Sequence, residues 1–283
     1  MLVAPVIVAL VLVLGGGAPR PEVVMASNAA VASAADRTLD AIDRLEAELA
    51  PAVDAARAGS ARVVAGEEDP AERLAAAADM LLAAAPTAVD VREALGDLER
   101  ARAALDPSAR PLPRAPDGGD LASMAGQLGD AGEAGARFAE TRRRAEAVSD
   151  ALVDALDTAA AGKPDEAHQQ LLLGLVAVDE LRAWEDDAPA LSVWIDTVDA
   201  MIRAMQRLVD AVRAGDANEA EAAQAAFADA AEGGTEADRA LRIGLGEAGS
   251  AVTAVPVGRL AEALAALGEL ELAIRAARDE AGE

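Results

Sequence analysis

The sequence predicts an all-α protein: an up-and-down bundle of long, Ala-rich amphipathic helices preceded by an N-terminal transmembrane or signal helix. Three observations carry this prediction. Apolar residues make up 53% of the chain, yet the aromatics are two Trp and two Phe with no Tyr, so the best helix former dominates and strand formers are scarce. Aliphatic residues recur at spacings of three and four through most of the chain. Leu2 to Ala18 carries no charged or hydrogen-bonding side chain.

At the N-terminus, a helix over residues 2–18 would span about 25 Å, near the short limit for crossing a bilayer. Residues 1–19 therefore read as a signal peptide or membrane anchor, with Arg20 as a weak positive flank. No Lys or Arg precedes the run, and Pro19 after Ala18 makes a poor cleavage context. Small-x-small sites occur further on, at Ala30-Val31-Ala32 and Ala32-Ser33-Ala34, which leaves cleavage and an uncleaved anchor both open. Residues 20–35 are expected to form a flexible spacer.

Residues 36–105 read as a helical hairpin region. Leu39, Ile42, Leu45, Leu49 and Val53 form one apolar stripe, with Gly59 as the expected helix end. Asp69-Pro70-Ala71-Glu72 places an N-cap, a first-turn proline and a first-turn acid before Leu74 and Leu81. Thr87 to Asp90 repeats that logic and predicts a new helix carrying Val91, Leu95, Leu98 and Leu105. Residues 106–120, DPSARPLPRAPDGGD, are expected as a Pro/Gly-rich linker, because proline and glycine oppose helix and strand alike.

The main helical bundle is expected over residues 121–283. A helix from Leu121 to Ala161 carries Gly126, Gly129, Gly132 and Gly135 at every third position, which weakens it and also lets another helix approach. Pro164 to Asp187 contributes Leu171, Leu172, Leu175, Val178, Leu181 and Trp184. The clearest seam is Leu191, Ile195, Val198, Ile202, Met205, Val209 and Val212, which alternates spacings of four and three as in coiled coils. Helices over 216–232, 235–248 and 257–278 complete the set, the last presenting Leu260, Leu264, Leu267, Leu270 and Ile274. Similar heptapeptides end at Gly59, Gly162 and Gly215, spaced at close to two units and one unit of about 52 residues. Any Ala-rich helix stopped by Ala-Gly looks this way, so the likeness reads as shared helix-end chemistry.

Charge and composition exclude several functions. Fifty acidic residues against 25 basic ones give a net charge of −25, which repels polyanions and argues against nucleic acid as a partner. Absence of Cys removes disulfides, Cys-ligated metals and thiol catalysis. His168 is the single histidine, and with Asp165 it supplies only one carboxylate-x-x-His element, whereas a di-iron bundle needs two. Glu67-Glu68-Asp69 and Glu185-Asp186-Asp187 lack a calcium-loop pattern and read as solvated helix connectors. No phosphate loop, nucleophile elbow or H-E-x-x-H motif is found.

With no cofactor, metal or catalytic set expected, the sequence points to a non-catalytic extracytoplasmic helical interaction or scaffold protein. It would be located at the cell membrane, on the extracytoplasmic side, or secreted. Its expected partners are the membrane, through the N-terminal helix, and another protein or a second copy, through amphipathic faces. The alternative is a small-ligand-binding bundle with a pocket at Trp184, Trp194, Met201 and Met205, aromatic anchors being otherwise nearly absent. A carboxylate-based hydrolase ranks below both.

Overall fold

The computed structural model describes residues 21–67, 70–185 and 189–282, with side chains from Met25 to Ala281 over that range. The expected signal or anchor segment, Asp69 as N-cap, and Glu68, Asp186 and Asp187 of the acidic clusters lie outside the described residues. Among those described, the chain is all-helical and has no strand. Six helices follow one another: α1 (Pro21–Ala65), α2 (Pro70–Leu105), α3 (Gly118–Ala160), α4 (Pro164–Arg182), α5 (Pro189–Ala214) and α6 (Ala217–Gly282).

Their ends follow from local chemistry. Four helices open on proline, whose missing N–H costs nothing in the first turn. At the start of α3, the Asp117 carboxylate accepts from the Asp120 N–H at 2.9 Å while Asp120 accepts from the Asp117 N–H at 3.1 Å. This reciprocal cap satisfies two otherwise free donors. The Asp216 carboxylate caps α6 by accepting from the N–H groups of Asn218 and Glu219, both at 3.1 Å. Helices α1, α3 and α5 stop at Gly66, Gly162 and Gly215, with φ of 67°, 79° and 71°. After each glycine the next N–H reaches back five residues to a helix carbonyl, as from Lys163 to Thr158 at 3.2 Å.

Several expected boundaries shift. Residues 21–35 are helical rather than a spacer, with Val31, Ala34 and Ala35 buried. Gly59 lies buried inside α1, so the first of the three look-alike heptapeptides ends no helix. Beyond it, Ser60 donates to Thr253 at 2.7 Å and Val63 is buried, and those contacts extend the helix through the glycine. The start expected at Thr87 falls within α2, which continues through Pro86. The three helices expected after residue 216 form one, carrying Pro256 inside it. Residues 106–117 are non-helical as expected, but helix begins at Gly118.

Helices α1 and α2 run antiparallel, as do α4 and α5; cross-helix pairs show this by stepping up one helix while stepping down the other. Arg37 pairs with Asp97 and Arg44 with Asp90 between α1 and α2. Arg182 pairs with Asp196 and Arg213 with Asp165 between α4 and α5.

The chain divides into two compact units. Unit 1 comprises residues up to Arg57, Leu74–Gly129 and Val255 onward; unit 2 comprises Ala58–Arg73 and Asp130–Ala254. This differs from the expected division into residues 36–105 and 121–283, because the final helical segment packs with the first. Within unit 1, Arg278 reaches Asp36 at 3.3 Å and Arg259 donates to Gln127 at 3.0 Å. The segment 106–117 consequently joins two helical stretches of unit 1, one ending at Leu105 and one running from Gly118 to Gly129, and its Ala115 is buried. Unit 1 buries the predicted stripe of Leu39, Ile42, Leu45, Leu49 and Val53.

In unit 2 the predicted seam of α5 is buried from Leu191 to Val209, while Val212 is exposed and Ala211 takes the inner position. Val63 sits against two glycines there. A Cβ on Gly135 would fall 2.6 Å from Val63 Cγ2, and one on Gly249 would fall 2.8 Å from Val63 Cγ1. Thr253, also buried, accepts from Ser60 and donates to the Gly249 carbonyl at 2.9 Å.

Two helices, α2 and α6 (Ala217–Ala281), contain stretches long and apolar enough to cross a membrane. Both helices also contribute Leu to the buried cores.

Candidate functional site

Around the α4–α5 turn, the four residues expected to line a pocket have separate environments. Trp194 is 1% exposed and Met205 is 2% exposed, both in the buried stripe of α5. Met201 is half-buried against α6, its Sδ 3.3 Å from where a Gly234 Cβ would be. Trp184 is half-buried and capped by the Arg144 guanidinium, 5.0 Å from the ring centroid. Arg144 is itself held by Glu140 at 2.7 Å and Glu180 at 2.9 Å. The hydrogen bond from Arg144 holds the Glu140 carboxyl below its usual range, with the charges of Arg143 and Arg144 assisting.

His168 Nδ1 lies 3.4 Å from Asp210 Oδ1, and Asp165 pairs with Arg213. Asp165 of the carboxylate-x-x-His element thus ion-pairs to the neighbouring helix, and His168 lies beside a carboxylate of that helix. Among the described residues, no group of three or more His, Asp or Glu side chains is placed to hold a metal ion.

A shallow groove of about 270 Å³ lies in unit 1, between the start of α3 and α6. Met124, Ala115, Pro116, Ala263 and Ala266 line it with Arg114, Asp120, Arg259 and Glu262. Arg114 is committed to Asp117 at 3.0 Å and Asp120 at 3.3 Å, and Arg259 to Gln127. Arg114, Asp120 and Arg259 thus serve the α3 cap and a helix–helix contact. Capping by the Asp120 N–H, then the Gly119 N–H and Arg114, keeps the Asp117 carboxyl low.

The outward face of α4 has a different character. Ala167, Leu171, Gly174, Val178 and Leu181 set its buried stripe at spacings of four and three. The residues between them therefore point away: Leu172 is 47% exposed, Leu173 70% and Val176 57%. No side chain from Ala167 to Val178 carries a formal charge with His168 neutral, on a chain of net charge −25. Expectation placed Leu172 in the core. Of three consecutive leucines on a helix only one can lie at the centre of the buried stripe, and the phase of Ala167 and Val178 selects Leu171. The signal for this face was present in the uncharged run, but the run equally suits a buried helix.

The chain matches no family model, no curated protein and no solved structure.

Proposed function

We propose that the chain is a non-catalytic helical interaction or scaffold module, tethered to the membrane by residues 2–18 or secreted, with its helical body on the extracytoplasmic side. The observation that carries the interaction reading is the outward face of α4. Leu172, Leu173 and Val176 leave aliphatic surface in water within two helical turns, and large apolar side chains grouped this way gain by being covered. The uncharged Leu2–Ala18 segment supports the tether. The rival small-ligand carrier at Trp184, Trp194, Met201 and Met205 has less support, because Trp194 and Met205 are taken up by the core. A hydrolase has least, since the single histidine is half-buried between two helices, beside the one carboxylate of Asp210.

Two measurements test the proposal. Protease added to intact expressing cells should digest the helical body; a protected cytosolic species would contradict the location. A photo-crosslinking residue at position 173 should give a discrete adduct in cells, whereas one at the isolated exposed Val153 should not. Equal or absent crosslinking at both positions would contradict the interaction reading.

A further inference from the structure

We propose that the outward face of α4 docks an amphipathic helix of another protein, with an aliphatic centre and basic residues at both ends. This inference rests on the interaction reading above and adds the chemistry of the partner. From N- to C-terminus the face presents Asp165, Gln169, Leu172 with Leu173, Val176 and Glu180. Its length between the two acids is about 22 Å, which a partner helix of about 15 residues matches.

Both ends of the face carry more carboxylates than cations. At the N-terminal end, Asp165 and Asp210 share Arg213, and Lys163 meets Glu166 at 3.0 Å, giving three carboxylates to two cations with His168, beside Asp210, counted neutral. At the C-terminal end, Arg182 is shared among Asp179, Glu185 and Asp196 at 3.4–3.6 Å. Arg144 is divided there between Glu140 and Glu180, and Glu140 also takes Arg143. The surplus charge at each end is negative, and the outermost acids are open to solvent: Asp165 is 86% exposed and Glu180 60%.

That pattern selects among occupants. A second copy laid antiparallel sets Asp165 against Glu180, and one laid parallel sets each acid against itself, so either arrangement opposes like charges. An anionic lipid surface meets the same repulsion at both ends. A helix with Arg or Lys at both ends neutralises the surplus while its aliphatic centre covers Leu172, Leu173 and Val176.

The test uses the full chain and a labelled 15-residue peptide with Leu at helical spacing in its centre and two Arg at each end, with binding followed by fluorescence anisotropy. Leu173→Glu and Val176→Glu should each weaken binding by about tenfold or more. Both add negative charge, which would strengthen any non-specific attraction of a basic peptide. Val153→Glu should leave the affinity unchanged, and replacing the terminal Arg residues by Glu should abolish binding. Circular dichroism checks that each variant keeps its helicity.

Equal affinity for the wild-type chain and Leu173→Glu would overturn the proposal, as would equal binding of the acid-ended peptide. A dimer in sedimentation equilibrium that Leu173→Glu dissolves, or Leu173-dependent binding to anionic phospholipid vesicles, would assign the face to those occupants instead. A discrete crosslink from position 173 in cells together with failure of the basic peptide would retain the interaction reading and remove this partner class.

Discussion

Among single residues, Glu46 shows how position decides a charge's effect. It lies on α1 in unit 1, and burial first, then the negative charges of Glu271 and Asp43, raise its carboxyl above the ordinary range. A raised folded-state value means that the native chain holds this proton more tightly than the unfolded chain, so stability increases as pH falls through the folded value. Glu46→Gln removes the ionised form that is disfavoured at neutral pH. The variant should therefore melt higher than wild type at pH 7, and the two should converge below about pH 4, where both forms are neutral. Thermal melts at the two pH values check this. Glu140 shifts the opposite way, so its contribution is present above the ordinary carboxyl range and is lost in acid.

At the scale of helices, close approach depends on which glycines meet a neighbour. Gly126 and Gly129 would have nothing within 4 Å of an added Cβ, whereas Gly135 meets Val63 on α1. Gly126→Ala should stabilise the chain by up to about 1 kcal/mol through helix propensity. Gly135→Ala should destabilise it by about 1–3 kcal/mol, because Val63 is confined. Urea unfolding of the two variants beside wild type measures both signs. The every-third-glycine pattern was visible in the sequence, but the individual roles were not, since they depend on which face meets α1.

Stripes of larger aliphatics were similarly legible: the runs Leu39–Val53 and Leu191–Val209 are buried because period and burial coincide there. Helix ends inside Ala-rich stretches were less so. Gly59, the Gly233-Gly234 pair and Pro256 resemble stops, yet contacts across helices offset their local cost; Gly234, for example, accommodates Met201. The candidate site was legible only as an uncharged run, since three consecutive leucines do not disclose which one turns inward until the neighbouring stripe is set.

For the molecule as a whole, charge is the dominant long-range term. A chain of net charge −25 repels itself when compact, while its surface ion pairs, mostly exposed, contribute little individually. Screening should relieve more repulsion than it removes attraction. The melting temperature is therefore expected to rise when sodium chloride is increased from low salt to about 0.15 M, where the Debye length is about 8 Å. Calorimetric scans across that range check it; a falling melting temperature would mean that the ion pairs outweigh the net charge.

The pairing of Asp36 with Arg278 within unit 1 has a practical corollary for engineering. With α1 and α6 antiparallel, Gly282 comes level with a point on α1 only about 16 Å of helix from Pro21. In a chain trimmed to begin at Pro21, a short glycine-serine loop would close the polypeptide into a ring, and new ends could be opened among residues 107–113 without severing any helix.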